Sequence, residues 1–244
     1  MPRAPIARSP APRPLGRGDL AASLVLIFPL YLAYAIGILF APAVNGVDFV
    51  SRHVWALCGH DRGRYLALHA VIAGGFLIWV RHARRGRSLG TDVALPLIGE
   101  AALYAVSMGA LIRLVMDHVL GPVGVLAVED AHLGATGERV VTSLGAGVHE
   151  ELVFRLGLMA GSAYVLMRAG TRPRVAIAVA LIGSALLFSL AHHVGPFGDP
   201  WSRSLFAFRA LAGVAFGLIF YYRSLAHAVY AHALYDLWVL VLRP

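Results

Sequence analysis

Three groups of ionisable residues interrupt apolar segments in the second half of this sequence. They lie in the segments VHEELVFR, residues 148–155, FSLAH, residues 188–192, and HALYD, residues 232–236. Carboxylates and imidazoles are the side chains that proteins use to activate water or to hold a metal ion. A charged side chain near the centre of a bilayer costs roughly 2.5–3.5 kcal/mol, so such residues usually persist there only when they are paired, hydrated or functional. These three segments are therefore the candidate site.

Helical spacing sorts the charged residues into pairs. Glu151 and Arg155 are four positions apart, so they share a helix face and are expected to form a structural ion pair. Glu150 lies about 100° around the helix from Glu151 and outside that pair. His232 and Asp236 share a face by the same spacing. The pattern leaves two interpretations open, a catalytic cavity between three helices or polar side chains that hold helices together by hydrogen bonds.

The composition is that of an integral membrane protein. Of the 244 residues, 59% are hydrophobic and 14% are charged, and the mean hydropathy is +0.72, which is outside the usual range for a soluble domain. The formal net charge of +8 comes from arginine alone, because the sequence contains no lysine. We expect the protein to lie in the lipid bilayer, and we do not expect it to bind nucleic acid. The single cysteine, Cys58, has no partner for an intrachain disulfide and no metal-site spacing around it.

Seven apolar segments are long enough to cross a bilayer as helices. They cover about residues 20–41, 64–80, 93–116, 143–167, 175–193, 204–222 and 225–242. The apolar run at residues 121–128 is too short to span the bilayer as a helix. If it is included, the alternative is eight segments. The first segment resembles a signal peptide because of the APA sequence at residues 41–43, yet its length favours a retained helix. We therefore predict an all-α, polytopic bundle of about seven transmembrane helices around a buried polar active site.

The distribution of arginine predicts the orientation in the membrane. Residues 1–19 are rich in proline and arginine, which predicts a disordered basic N-terminal arm. Further arginines cluster at residues 81–87 and 168–174, whereas the loop after the third span carries acidic residues. With seven spans, all strongly basic segments fall on one side of the membrane. The positive-inside rule then predicts a cytoplasmic N-terminus and an outer C-terminus.

The three motifs resemble the signatures of the CPBP family of intramembrane proteases. That family includes the CAAX prenyl endopeptidases and the Abi proteins linked to bacteriocin processing and immunity, and its signatures are EExxxR, FxxxH and HxxxN or HxxxD. This sequence has EELVFR, FSLAH and HALYD in the same order. The resemblance covers roughly residues 95–242 and implies a CPBP-like protease core at residues 93–244. Residues 20–92 form an N-terminal transmembrane region without clear likeness to the family.

The resemblance implies a catalytic role for four residues. Glu150 and His192 would hold and deprotonate the attacking water, and His232 with Asp236 would face the developing oxyanion. No serine or cysteine of the motif segments lies near a suitable base, which also favours water as the nucleophile. The implied activity is that of a glutamic-type intramembrane endopeptidase, which is a peptide hydrolase.

A metal mechanism is the alternative for this set. Position 236 is Asp, where the prenyl-protease branch of the family has Asn, and an ionised Asp only accepts hydrogen bonds. Asp236 could orient His232 and keep it protonated, or could itself be neutral. Glu150, His192, His232 and Asp236 are also ligand types that zinc accepts. We expect no cofactor and a metal-free mechanism, with zinc as the alternative.

The expected substrate is a membrane-associated protein or peptide. Abundant Arg and Ala without any Lys indicates a GC-rich bacterial genome, so we expect the bacterial inner (cytoplasmic) membrane and no prenylated CAAX substrate. The predicted topology turns Glu150 and His192 outward. That orientation suits removal of a C-terminal sorting or anchoring signal from exported proteins, as the resemblance to myxosortase-like members implies. The alternatives are a non-catalytic bacteriocin-immunity or membrane scaffold protein and, with less support, a transporter.

Overall fold

The computed structural model describes residues 20–41, 49–83, 91–120, 136–195 and 198–242. Within these ranges every regular element is a helix, which confirms the predicted all-α class. The predicted basic arm at residues 1–19 and the short apolar run at residues 121–128 lie outside the described residues.

Four helices precede the motif segments. They are α1 (Leu20–Gly37), α2 (Phe49–Leu57), α3 (Arg62–Ala83) and α4 (Thr91–Leu120). Helices α1, α3 and α4 correspond to the first three predicted spans, and their ends differ from the predicted ones by only a few residues. Helix α2 was not predicted, because its 9 residues are too few to form an apolar segment that crosses a bilayer.

The two glutamates of the first motif lie in a continuous helical run that contains two π-helical segments. The run consists of α5 (Thr136–Gly145), π1 (Ala146–Glu150), π2 (Leu152–Ala160) and α6 (Gly161–Arg168). The backbone at Gly145, Glu151 and Gly161 is also helical, so the run does not break at its junctions. We name residues 136–168 the glutamate helix. Its π turns were not predicted, since the hydrophobic pattern was interpreted with the α-helical period, and such turns frequently occur at functional sites.

Three further helices complete the described bundle. They are α7 (Pro173–Ala191), α8 (Arg203–Tyr222) and α9 (Leu225–Leu237), the last continued by π3 (Trp238–Leu242). Each begins at a local signal in the sequence. Pro173 occupies the first turn of α7, where its missing N–H would have had no partner in the helix. Ser202 and Ser224 cap α8 and α9, and their hydroxyls accept hydrogen bonds from the backbone N–H groups of Leu205 and His227.

Six of the described helices are long and apolar enough to cross a membrane, namely α1, α3, α4, α7, α8 and α9 with its π3 extension. The remaining predicted span, residues 143–167, lies within the glutamate helix, which the π turns divide into pieces shorter than a span. Large apolar side chains cover the outside of the bundle; Val71, Leu103 and Leu111 are 70%, 71% and 60% exposed. Large apolar side chains on a surface are favourable in contact with lipid and unfavourable in contact with water. The chain is an integral membrane protein with a polytopic helical fold.

Helix α9 lies in the interior of the bundle, where it contacts α1, α4, α5, π1 and α8. Small side chains make this packing possible, and Ala226, Ala228 and Ala231 are completely buried. The neighbouring pair α7 and α8 packs closely at Gly213, where a Cβ atom would lie 3.0 Å from the Cα of Ala185. Helix α8 packs against both α7 and α9, the helices that carry the second and third motifs.

Glu100 of α4 binds side chains at the turn between α8 and α9. Its carboxylate accepts hydrogen bonds from the Tyr104 hydroxyl and the Arg223 guanidinium, and it lies 3.5 Å from Nε2 of His227. The cluster therefore satisfies a carboxylate within a predicted span and holds the beginning of α9 in place.

Candidate active site

The glutamate helix approaches α9 closely at the turn that carries both glutamates. Glu150 is 7% exposed and Glu151 is completely buried. Gly147 permits the approach, because a Cβ atom there would lie 2.7 Å from the Cβ of Ala233 and 2.8 Å from its backbone nitrogen. With no side chain at this position, the glutamates come within reach of His232 on α9.

Glu151 and Arg155 form an ion pair in the interior. Arg155 Nε lies 3.0 Å from Glu151 Oε2, and both side chains are completely buried. The guanidinium also lies over the rings of Phe188 and Phe216, with its central carbon 4.8 Å and 5.8 Å from the two ring centroids. Cation–π attraction is strongest for a desolvated cation. The carboxylate and the two rings together stabilise a positive charge that an apolar interior alone would destabilise.

Three carboxylates surround the imidazole of His232. Its Nδ1 lies 2.9 Å from Glu151 Oε1, and its ring stacks on Phe216 with the centroids 4.4 Å apart. These two contacts set the plane of the ring and direct Nε2 toward the other carboxylates. Nε2 lies 4.0 Å from Glu150 Oε2 and 3.7 Å from Asp236 Oδ2. Both ring nitrogens of His232 therefore face carboxylate oxygens.

His192 approaches Glu150 from the end of α7. Its Nδ1 lies 2.8 Å from the carbonyl oxygen of Phe188, one helical turn earlier. A carbonyl oxygen only accepts, so Nδ1 carries the proton that makes this hydrogen bond. Nε2 then points at Glu150, 3.5 Å from Oε2, which is longer than an ordinary direct hydrogen bond. One imidazole nitrogen and one carboxylate oxygen thus face the same space.

Exposure increases across the site toward His192. The side chains of Arg155 and Glu151 are 0% exposed, that of Glu150 is 9% exposed, and those of Asp236 and His192 are 21% and 27% exposed. The side formed by Glu150 and His192 is therefore the open side, where water and a substrate can enter. The opposite side is closed by the buried ion pair.

The structure brings together all of the motif residues that the sequence patterns single out. They come from the glutamate helix, α7 and α9: Glu150, Glu151, Arg155, His192, His232 and Asp236. Two contacts of the site were missed. The bond between Glu151 and His232 joins residues 81 positions apart, so no local spacing could indicate it. The stacking of Phe216 on His232 has no signal in the sequence beyond the small residues on either side, Gly213 and Gly217.

Zinc would need at least three of these side chains to converge on one point. In the part of the chain that the structure describes, no group of three or more His, Cys, Asp or Glu side chains is arranged to hold a metal ion.

Part of this helical region is similar to a known protein family. Residues 134–238 match the family model described as type II CAAX prenyl endopeptidase Rce1-like. No curated protein and no solved structure matches the sequence. The match contains the glutamate helix from its first residue, all of α7 and α8, and α9 with both of its site residues. Residues 134–238, a little under half of the chain, are therefore similar to the CPBP/CAAX protease family.

Proposed function

We propose that this protein is an intramembrane endopeptidase that hydrolyses a peptide bond of a membrane-associated protein with water activated by Glu150 and His192. The proposal is carried by the 3.5 Å separation of Glu150 Oε2 and His192 Nε2, two groups from different helices that face one space at the open side of the site. A general base must lie within hydrogen-bond reach of the proton that it takes, directly or through one water. A water molecule that hydrogen-bonds to both groups meets this requirement.

The reaction needs only proton transfers between these side chains, water and substrate. Glu150 takes one proton of the water as its oxygen attacks the carbonyl carbon of the scissile bond. The Nδ1 proton of His192 is held by the Phe188 carbonyl, so Nε2 is free to accept the second hydrogen of the water and to orient the attack. Glu150 then gives its proton to the leaving nitrogen, the C–N bond breaks, and the products are a carboxylic acid and an amine.

His232 is the proposed donor to the oxyanion. A protonated imidazole donates from both nitrogens. Nδ1 donates to Glu151, 2.9 Å away, and Nε2 is directed to the space beside Glu150 where the substrate carbonyl oxygen would become negatively charged. Removal of one such donor typically costs about 2.7–4 kcal/mol of transition-state stabilisation. Asp236, 3.7 Å from Nε2, helps to keep the imidazole protonated and oriented.

The proposed substrate reaches the site from the outer face of a bacterial inner membrane. With a cytoplasmic N-terminus and seven spans, α7 runs outward and ends beside His192. The greater exposure of His192 and Asp236 supports entry from that end. The substrate class that suits this orientation is an exported protein with a C-terminal sorting or anchoring signal, which the enzyme would remove.

A comparison of proteomes tests the proposed function. Membrane and secreted fractions would be collected from the wild-type strain, from a strain without the gene, and from that strain carrying either the wild-type gene or Glu150→Ala. We expect one or a few proteins to keep a C-terminal segment in the deletion strain and with Glu150→Ala, and to lose it with the wild-type gene. Identical protein ends in all four strains would contradict a protease and favour a non-catalytic immunity or scaffold role.

A further inference from the structure

We infer that helix α1, which lies outside the segment matched by the family model, positions the catalytic carboxylate through a contact between Tyr34 and His149. The inference rests on the proposed function, because it assigns a positioning role for the reaction at Glu150. Tyr34 is completely buried on α1, and His149 immediately precedes Glu150 on the glutamate helix. The matched segment begins at residue 134, so Tyr34 lies outside it.

The π1 turn depends on support from outside its own backbone. A π turn is rare because it closes its hydrogen bonds one residue later than an α turn and is less stable. Conversion of residues 146–150 to the α geometry would rotate Glu150 relative to the rest of the glutamate helix. The carboxylate would then leave the space that it shares with His192. The contacts that hold π1 therefore determine the geometry of the site.

His149 supplies one of these contacts. Its side chain is 5% exposed, and its Nδ1 lies 3.0 Å from the carbonyl oxygen of Gly145, in the turn before π1. Because the carbonyl only accepts, the imidazole donates here and satisfies an acceptor at the junction between α5 and π1. The ring packs against Tyr34 with the centroids 4.7 Å apart, and Tyr31 lies next to it at 6.2 Å. Imidazole and phenol rings at these separations attract each other beyond their apolar contact.

Two glycines allow π1 to be held from opposite faces. At Gly145 a Cβ atom would lie 2.4 Å from Cε2 of Tyr34, so the tyrosine ring lies directly against the helix backbone. At Gly147 a Cβ atom would lie 2.7 Å from the Cβ of Ala233 on α9. Residues two positions apart point to nearly opposite sides of a helix. The turn is therefore packed between α1 on one face and α9 on the other.

Helix α3 contacts Tyr31, the neighbouring tyrosine of α1. The Tyr31 hydroxyl lies 3.3 Å from Nε2 of His69, and Nδ1 of His69 lies 3.0 Å from the carbonyl oxygen of Tyr65. The rings of Tyr65 and His69 are in contact at 4.1 Å, and both side chains are buried. Tyr31, which also lies beside His149, is therefore held between α3 and the glutamate helix.

The positioning role predicts a specific kinetic effect. Removal of the Tyr34 ring would leave space beside Gly145 and His149, and π1 could relax toward it. A displacement of about 1 Å at a reacting group can lower the rate on the order of 100-fold. Substrate binding elsewhere on the bundle would be unaffected. We therefore expect kcat to fall on the order of 10-fold to 100-fold for Tyr34→Ala and for His149→Leu, with KM nearly unchanged.

The kinetic test uses the full-length protein in lipid nanodiscs and a peptide that spans the cleavage site found by the proteome comparison. Tyr34→Phe keeps the ring, and His149→Asn keeps a side-chain N–H near the Gly145 carbonyl, so both should restore most of kcat. Phe28→Ala is the matched control, because Phe28 lies on the same helix and its ring packs on Phe76 of α3, with the centroids 4.3 Å apart. It should lower the melting temperature without lowering kcat. A kcat loss in Phe28→Ala equal to that in Tyr34→Ala would overturn the positioning role.

A second measurement does not depend on a substrate. Hydrogen exchange of the backbone amides at residues 146–151 should be faster in Tyr34→Ala than in the wild type, and unchanged in Phe28→Ala. Equal exchange in all three proteins, or equal acceleration in both variants, would contradict the inference. If the exchange difference is found but the wild type cleaves no protein, the proposed function is wrong while the support of π1 by Tyr34 stands.

Discussion

Glu151 Oε1 lies 2.9 Å from Nδ1 of His232, while its Oε2 lies 3.0 Å from Nε of Arg155. The two oxygens of one buried carboxylate thus join the glutamate helix to α9 and also neutralise a guanidinium. The second glutamate of the EE pair is therefore more than a partner for arginine. It sets which way the imidazole of His232 points, and through it the geometry of the proposed oxyanion site.

We predict that the two roles of Glu151 can be separated by mutation. Glu151→Ala or Arg155→Ala should lower the yield and melting temperature, because loss of one partner of a buried pair costs about 3–5 kcal/mol. The double variant Glu151→Leu with Arg155→Met should recover stability, since apolar replacements of a buried pair are often neutral or better. It should stay inactive, because His232 has lost the partner of Nδ1. A double variant with wild-type stability and wild-type turnover would show that Glu151 does not position His232.

We predict that Glu150→Ala and His192→Ala each abolish cleavage while the protein still accumulates in the membrane. Glu150 and His192 are the proposed water-activating pair, and neither takes part in the Glu151–Arg155 ion pair. Turnover of the identified substrate and membrane yield would be measured together. Glu100→Gln is the matched control, because Glu100 lies in a separate cluster beside Arg223 and should leave cleavage intact. Near-wild-type turnover by either Ala variant would contradict the assignment of Glu150 and His192 as the water-activating pair.

We predict that Asp236→Asn keeps a substantial fraction of the activity and that Asp236→Ala loses most of it. Asn is nearly isosteric, can still contact His232, and adds a donor near the developing oxyanion. Strong chelators should have little effect on the wild type. The measurement is turnover with and without chelator, together with the metal content of the purified protein. An inactive Asn variant, a chelator-sensitive wild type and stoichiometric zinc would together establish a metalloprotease instead.

We predict that the open side of the site faces the outside of the cell. In a background with Cys58→Ala, a cysteine at Val194, which is 63% exposed just after α7, should react with a membrane-impermeant thiol reagent added to whole cells. A cysteine at Ala169, in the basic turn between α6 and α7, should react only after the membrane is permeabilised. The reverse labelling pattern would turn the site to the cytoplasm and favour a cytosolic substrate.

The sequence by itself determined the class of fold and the residues of the candidate site. Apolar runs long enough to cross a bilayer predict transmembrane helices without reference to tertiary contacts, because each helix satisfies its own backbone hydrogen bonds. The spacing of Glu151 and Arg155 is a local property of one helix, so their pairing followed from the sequence. The expected interior position of His192 and His232 followed from the same reasoning, since polar side chains in apolar spans are costly unless they face one another.

Only the tertiary structure decided which atoms of these residues meet. The contact of Glu151 with His232 depends on Gly147, which lets the glutamate helix and α9 approach each other. The spacing of residues along the sequence does not indicate which distant residue Gly147 or Glu151 will contact. The π turns at residues 146–150 and 152–160 depend on the same packing, because their weaker backbone geometry is stabilised by neighbouring helices and has no local signal in the sequence. The support of π1 by Tyr34 joins residues more than a hundred positions apart. Contacts of this kind are set by how helices pack, so the sequence indicates the participants and the tertiary structure indicates their arrangement.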